Sequence, residues 1–220
     1  MATKKIIILD GGPRKAMNTG ALIEAFTEGA KSEGDIEVKR ICLYDMNFKG
    51  CVSCLGCKLK GRTSNVCVFK DELKPVLDEI ARADGLVIAS PIYLGTVTAP
   101  LIAALCRMVF PWLSYMDWSC KSPKKMPVAF MYTMNAPEEQ FPMCHKQLEL
   151  METLIGNTLG GDVFRVNAFN TYQVKDYDRY EFAPGTAEAK AAYRDAHWQS
   201  TLDEARETGK RLAEKAKTQT

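Results

Sequence analysis

The sequence predicts a single α/β domain in which a five-stranded parallel sheet carries helices on both faces. Three short runs are almost wholly apolar, as expected of strands buried on both faces, a fourth alternates apolar with polar residues, and a fifth follows at 163–169. Segments with apolar residues at helical spacing separate these runs, which favours parallel pairing through helical crossovers. The 220 residues are enough for one such domain with a full core. The predicted strands cover residues 5–9, 36–43, 85–90, 128–134 and 163–169.

The helices are predicted from apolar periodicity and from their start and stop signals. The first has Asn18 or Thr19 as its N-cap, and the third ends or bends near Pro111, which cannot donate to a helical hydrogen-bond ladder. The fourth has a proline and two acidic residues near its start, which suit a first turn. The predicted helices cover residues 18–30, 71–83, 98–112, 135–159 and 187–217. A cysteine-rich loop at 47–70 and a polar, aromatic excursion at 171–186 complete this single domain, 1–220.

Composition and charge exclude several classes of protein. The chain is 46 % hydrophobic and 25 % charged, which is ordinary globular usage. A net charge of +2 argues against a nucleic-acid-binding or membrane-surface protein, since these usually carry a basic excess. No run approaches the ~18 apolar residues of a membrane span, and no signal-peptide pattern opens the sequence. We therefore expect a cytoplasmic protein whose eight cysteines stay reduced rather than forming a disulfide framework.

The loop after the first strand has the composition of an anion site. In sheets of this class ligands bind beyond the carboxyl ends of the strands, so the loops there are the first places to look for function. Residues 11–19 begin with two glycines and lead into a helix whose backbone N–H groups and dipole favour an anion. Arg14, Asn18 and Thr19 add donors, and the absence of a P-loop or GxGxxG pattern favours one phosphate monoester. The alternative is a turn that needs only glycine and a cap.

The loops after the third and fourth strands have the composition of a wall for a flat ligand. Residues 90–98 combine an aromatic ring, apolar side chains, a glycine and hydroxyls, which suits a planar heterocycle. Residues 132–135 lie after the neighbouring strand and would supply the opposite side. The alternative is that Tyr93 and Met134 only fill the edge of the core.

Together these segments resemble the NAD(P)H-dependent FMN reductases, a branch of the flavodoxin-like flavoproteins. The similarity lies in Gly-Gly-Pro-Arg-Lys-Ala-Met-Asn-Thr at 11–19, Ser-Pro-Ile-Tyr at 90–93 and Val-Thr-Ala at 97–99. It implies the sheet order 2-1-3-4-5 and FMN as cofactor, although Gly12 stands where the family has a serine. The resemblance and the loop compositions together predict these FMN-binding residues: Gly12, Pro13, Arg14, Met17, Asn18 and Thr19 at the phosphate, Pro91, Ile92, Tyr93, Leu94 and Gly95 at the ring, and Thr133 and Asn135 opposite.

Four cysteines form a C-x2-C-x2-C-x9-C pattern within the cysteine-rich loop. Four thiolates at such spacing can hold a [4Fe–4S] cluster, and the segment also resembles that of iron–sulfur flavoproteins, in which a cluster lies beside FMN. Structural zinc, redox-active thiols and thiols without any metal stay open as alternatives. The candidate ligands are Cys51, Cys54, Cys57 and Cys67.

The resemblance implies an FMN-dependent oxidoreductase that takes electrons from NAD(P)H and passes them to a flavin, a quinone or another small acceptor. Hydride transfer needs no acid–base side chain, so the sequence predicts no catalytic residue. One alternative is an electron-transfer module with a [4Fe–4S] cluster and a ferredoxin-type partner. A second is a flavodoxin-like scaffold that binds but does not catalyse. The apolar helix at 98–112 and the resemblance together predict a homodimer or homotetramer.

Overall fold

The computed structural model describes residues 2–61, 66–120 and 122–219, and it has the predicted architecture. The parallel strands pair in the order β2-β1-β3-β5-β6, and β4 adds a short antiparallel hairpin to β3. Leaving β4 aside, this is the predicted order of five strands, so the predicted fold class is confirmed. The strands are β1 (Lys4–Asp10), β2 (Ile36–Cys42), β3 (Gly85–Tyr93), β4 (Thr96–Val97), β5 (Met126–Thr133) and β6 (Gly160–Ala168).

Five helices cover the two faces of the sheet. Helices α1 and α5 pack on one face, and α2, α3 and α4 pack on the other, each face with its own apolar core. None of the helices in the described part of the chain is long and apolar enough to cross a membrane. The helices are α1 (Asn18–Ser32), α2 (Leu73–Ile80), α3 (Ala99–Val109), α4 (Pro142–Leu159) and α5 (Thr186–Thr218).

Three helix ends differ from the prediction for identifiable reasons. Helix α1 begins at Asn18 with Met17 at its N-cap, and no side chain of the described residues caps it. Helix α3 stops at Val109 because Pro111 has no N–H, and the chain tightens into a 3-10 turn there. Helix α4 begins at Pro142 rather than at residue 135, because a proline is tolerated in the first turn of a helix but not in its interior.

Two glycines let α1 and α5 approach until their backbones touch. A Cβ atom added to Gly29 would lie 1.8 Å from the carbonyl oxygen of Arg206, and one added to Gly209 would lie 2.1 Å from that of Phe26. No side chain fits between the helices at these two points. This contact fixes the position of α1, whose N-terminus opens onto the loop predicted to bind an anion.

Candidate functional site

A solvent-open cavity lies at the carboxyl edge of the sheet, between the loops that follow β1, β3, β5 and β6. The structure brings together every predicted cofactor residue except Leu94 and Gly95. The lining consists of Gly12, Pro13, Arg14, Met17, Asn18, Thr19, Pro91, Ile92, Tyr93, Thr133, Asn135, Thr171, Tyr172 and Gln173.

A buried ion pair shapes the first loop. Asp10 is fully buried at the end of β1 and accepts bonds from Arg40 Nε at 2.9 Å and from the backbone N–H of Gly12 at 2.8 Å. Arg40 also donates to the carbonyl oxygen of Lys15 at 3.1 Å. One carboxylate and one guanidinium therefore hold both ends of the loop. The Gly12 amide is bonded to Asp10 and is therefore not a free donor for an anion. It does not substitute for the hydroxyl of the serine that the family has at this position.

The remaining donors suit a phosphate. Helix α1 begins without a side-chain cap, so its first-turn N–H groups are available at the cavity. Asn18 donates from Nδ2 to the carbonyl oxygen of Tyr172 at 2.6 Å, and Arg14 donates to that of Gln173. Each side chain keeps further N–H donors beyond this single bond. Arg14, Asn18 and the start of α1 thus form the donor set that a phosphate monoester requires.

The hairpin of β3 and β4 forms a second side of the cavity. Its two-residue turn places Leu94 and Gly95 at φ values of +51° and +79°, which is the geometry of a type I′ turn. The Leu94 side chain is fully exposed, and neither turn residue lines the cavity. Pro91, Ile92 and Tyr93 precede the turn and present the apolar and aromatic wall. The chain then returns to the first loop, since Thr98 donates from Oγ1 to the carbonyl oxygen of Gly11 at 2.9 Å.

The floor and the far side are joined by long-range hydrogen bonds. The buried hydroxyls of Thr19 and Thr133 lie 2.8 Å apart and connect α1 to the end of β5. Lys190 of α5 is buried and donates to the backbone oxygen of Asn135 at 3.1 Å and to Asn170 Oδ1 at 2.9 Å. Burial lowers the pKa of Lys190. This lysine therefore holds the loops after β5 and β6 together behind the cavity.

Sequence reasoning missed the contribution of the excursion. Thr171, Tyr172 and Gln173 line the cavity, yet the sequence patterns assign residues 171–186 no role. Their position directly after the last strand, at the same sheet edge as the other loops, is the signal that points to them. Tyr172 and Gln173 accept hydrogen bonds from Asn18 and Arg14 through their backbone oxygens, which no side-chain pattern predicts.

A second, smaller cavity lies between the cysteine-rich loop and the end of α3. All four predicted cysteine ligands line it, together with Arg107 and Phe69. Within the described residues, no three His, Cys, Asp or Glu side chains are arranged to hold a metal ion as they stand. Binding one would require the thiols to turn toward each other. Burial raises the pKa of the Cys57 thiol, and the neighbouring Cys67 and Cys54 raise it further.

The backbone between the first three cysteines turns sharply on either side of Cys54. Ser53 and Leu55 both have a φ of +53°, in the left-handed region that residues with side chains rarely adopt. Gly56 packs tightly against the loop, because a Cβ there would lie 2.6 Å from Val68 Cγ2. The four cysteines that line this cavity are the donor set of a cluster of thiolate-bound iron.

Two cations anchor this loop to α3 and the turn that follows it. Arg107 is 1 % exposed and donates to the carbonyl oxygens of Lys49 at 2.9 Å and Phe69 at 3.0 Å, as well as to Asp71. Lys58 donates to the carbonyl oxygen of Phe110 at 2.6 Å. Burial opposes the charge of Arg107, but the neighbouring Asp71 and Cys67 raise its pKa, so it stays charged. Asp71 is partly buried, which opposes its charge, yet Arg107 lowers its pKa.

Known proteins match the chain in two different ways. An iron–sulfur flavoprotein from Methanocaldococcus jannaschii is 34 % identical over 97 residues, which cover 44 % of this chain and 48 % of that protein. An iron–sulfur flavoprotein from Archaeoglobus fulgidus is 38 % identical over 94 residues, or 43 % of each protein. The chain thus spans about half the length of the curated relatives it matches.

Solved structures resemble the whole fold. An NAD(P)H:quinone oxidoreductase from Methanothermobacter marburgensis superposes with a TM-score of 0.66 at 18 % identity, over 96 % of this chain and 98 % of that one. An FMN-dependent NADH-azoreductase from Bacillus anthracis, solved with FMN, superposes with a TM-score of 0.62 at 16 % identity, over 96 % of this chain and 100 % of that one. The family described as NADPH-dependent FMN reductase matches residues 4–170, which include all six strands and the lining of both cavities except Thr171, Tyr172 and Gln173. The chain therefore belongs to the NADPH-dependent FMN reductase family.

Proposed function

We propose that the chain is an FMN-dependent oxidoreductase that takes electrons from NAD(P)H and passes them to a small acceptor such as a flavin or a quinone. One observation carries the proposal: phosphate donors and an apolar, aromatic wall meet in one open cavity at the carboxyl edge of the sheet. When bound, FMN accepts a hydride from NAD(P)H and returns two electrons to the acceptor. Membership of the family supports the same cofactor.

In this proposal the side chains bind and orient the cofactor. Arg14, Asn18 and the first turn of α1 hold the phosphate, while Pro91, Ile92 and Tyr93 lie against the ring. Thr133 and Asn135 face the cofactor from the other side, with Thr171 to Gln173 beside them. Leu94 and Gly95 set the shape of the hairpin. The open face of the cavity admits the nicotinamide and then the acceptor, and no side chain is required to move a proton during hydride transfer.

The first test is the absorption spectrum of anaerobically purified protein, with added FMN and with iron and sulfide assays on the same sample. The proposal predicts flavin bands that bleach with NADPH or NADH. A protein that stays colourless and takes up no FMN would contradict the proposal. The non-catalytic flavodoxin-like scaffold would then be the remaining alternative.

Replacing Arg14 with alanine is expected to weaken FMN binding by about 10- to 100-fold, since a hydrogen bond to a charged group contributes about 1.5–3 kcal/mol. Fluorescence titration of the apoprotein with FMN measures this change. Riboflavin, which has no phosphate, should bind the variant and the wild type equally. Arg82→Ala is the matched control because Arg82 is exposed on the other side of the sheet, before β3. If the variant lost affinity for FMN and riboflavin equally, Arg14 would not be a phosphate-binding residue.

A second candidate function is electron transfer through a [4Fe–4S] cluster on Cys51, Cys54, Cys57 and Cys67. The shared cavity and the cysteine spacing favour it over zinc, whose usual pattern is two separated CxxC pairs. The names of the curated relatives support it too. About four irons and four sulfides per chain are expected in the assays above. A ferredoxin-type protein would then be a partner, and zinc without sulfide would contradict the cluster.

We further propose a cytoplasmic homodimer or homotetramer in which residues 1–220 act as one domain. Helix α3 buries four of its apolar residues in the core but leaves Ile102 exposed. Exposed apolar residues that could extend an association surface also lie on α4 and β6: Met143, Leu150, Leu154 and Val163. Light scattering at micromolar concentration should give a multiple of 24.5 kDa, and a monomer would contradict this.

A further inference from the structure

Arg107 has a hydrogen-bond donor that its structural contacts do not use. Its two terminal nitrogens hold the loop: NH1 bonds Lys49 O and Asp71, and NH2 bonds Phe69 O. Its Nε–H has no hydrogen-bond partner among the residues described, although the atom is buried. An unpaired buried N–H of a charged group is costly, so a native protein normally gives it an acceptor.

The cysteine cavity is the place where this acceptor is missing. Arg107 lines that cavity with all four cysteines, and Phe69 covers the guanidinium at 5.3 Å from its ring centroid. The cavity's other non-cysteine walls are apolar or backbone, including Val52, Leu55, Val68 and Pro111. Among the described side chains that line the cavity, only the cysteine sulfurs can accept a hydrogen bond from the free N–H.

We propose that Arg107 is a positioning residue for the [4Fe–4S] cluster, closing the cysteine loop with its terminal nitrogens and donating Nε–H to a sulfur of the bound cluster. This rests on the second candidate function. Hydrogen bonds to cluster sulfurs stabilise the reduced cluster, which carries one more negative charge, and so raise its reduction potential. Asp71 neutralises the guanidinium, so the effect arises from the N–H donor rather than from a net charge.

Arg107→Lys tests the N–H donor. A lysine keeps a positive charge beside Asp71 but lacks both the Nε–H and the planar fork of the guanidinium, so iron content reports on loop closure and the midpoint potential on the donor. After anaerobic reconstitution with iron and sulfide, both proteins are titrated with dithionite, and one electron entering the cluster is followed by electron paramagnetic resonance. The cluster of the variant should have a lower midpoint potential at an iron content close to wild type, while the FMN potential stays unchanged. Arg82→Lys, an exposed arginine outside the loop, should change neither potential.

A second measurement needs no change at Arg107. The protein is labelled with ¹⁵N-arginine in an R62K background, which removes the arginine of the cysteine-rich loop and leaves Arg107 on α3. Pulsed electron paramagnetic resonance should then show a ¹⁵N coupling to the reduced cluster. Iron bound with no such coupling and an unchanged R107K potential would overturn the role of Arg107 alone. A wild-type protein that takes up no iron and sulfide would overturn the candidate function together with it.

Discussion

Replacing Gly20 with alanine is expected to lower FMN affinity at least about tenfold, although alanine is the better helix former. A Cβ atom at residue 20 would lie 1.8 Å from the carbonyl oxygen of Lys15, an overlap that the backbone must relieve by moving. That carbonyl accepts a bond from Arg40, which also holds Asp10 at the base of the loop. Strain of about 1–3 kcal/mol is typical when a methyl group is forced into a packed site. Here the strain falls on the segment that carries the phosphate donors.

Titration of the apoprotein with FMN measures the effect, and circular dichroism shows that the variant is folded. Gly50→Ala is the matched control, because a Cβ there would lie 3.6 Å from Ala103 Cβ, an ordinary contact. The control should bind FMN as the wild type does. A Gly20→Ala protein with wild-type affinity would mean that the phosphate is held away from this turn.

Replacing Arg165 with methionine is expected to lower the free energy of unfolding by about 3 kcal/mol, the usual cost of leaving a buried charge unpaired. Glu152 of α4 has a side chain only 4 % exposed, and Arg165 of β6 satisfies both of its oxygens, with Nε at 3.1 and 3.0 Å. The nearby Tyr132 stays a neutral phenol, since burial and the Glu152 charge raise its pKa well above its ordinary value, and it therefore brings no positive charge to the carboxylate. The carboxylate would be left in the core without a cation.

Urea denaturation of the apoprotein tests this, because bound FMN would add stability of its own. Arg206→Met is the matched control: Arg206 and its partner Glu28 are 35 % and 65 % exposed, and pairs of this kind contribute under about 1 kcal/mol. Equal, small losses in the two variants would show that Glu152 finds another partner or reaches water.

The sheet and most of the cavity lining are predictable because both depend on local patterns. The apolar runs at 5–9, 85–90 and 128–134 fall within the observed strands except for Met134, which follows β5, and the loops after them line the cavity. In a parallel sheet the carboxyl ends of the strands meet at one edge, so the strand pattern alone groups residues that are far apart along the chain.

The failures involve partners that are distant in sequence. Asn18 and Thr19 are typical N-cap residues, but the structure places both inside the first turn of α1. Their side chains bond Tyr172 and Thr133 instead, which lie 154 and 114 residues away in sequence. Lys190 belongs to a helix whose charges suggest a solvated face, yet it is buried against two loops. The left-handed backbone at Ser53 is equally invisible, since neither residue type nor periodicity encodes it.

Helix α3 begins where Thr98 bonds the first loop and, about 14 Å further along its axis, carries Arg107 into the cysteine cavity. A single helix therefore has one end against the first loop and carries a residue of the cysteine cavity further along, so an axial displacement at one end would be transmitted to the other. Such a displacement would link the two binding equilibria thermodynamically. If a ligand at the hairpin end favours one axial position of the helix, a ligand in the cysteine cavity that favours the same position gains affinity. By reciprocity, each ligand raises the affinity for the other by the same factor.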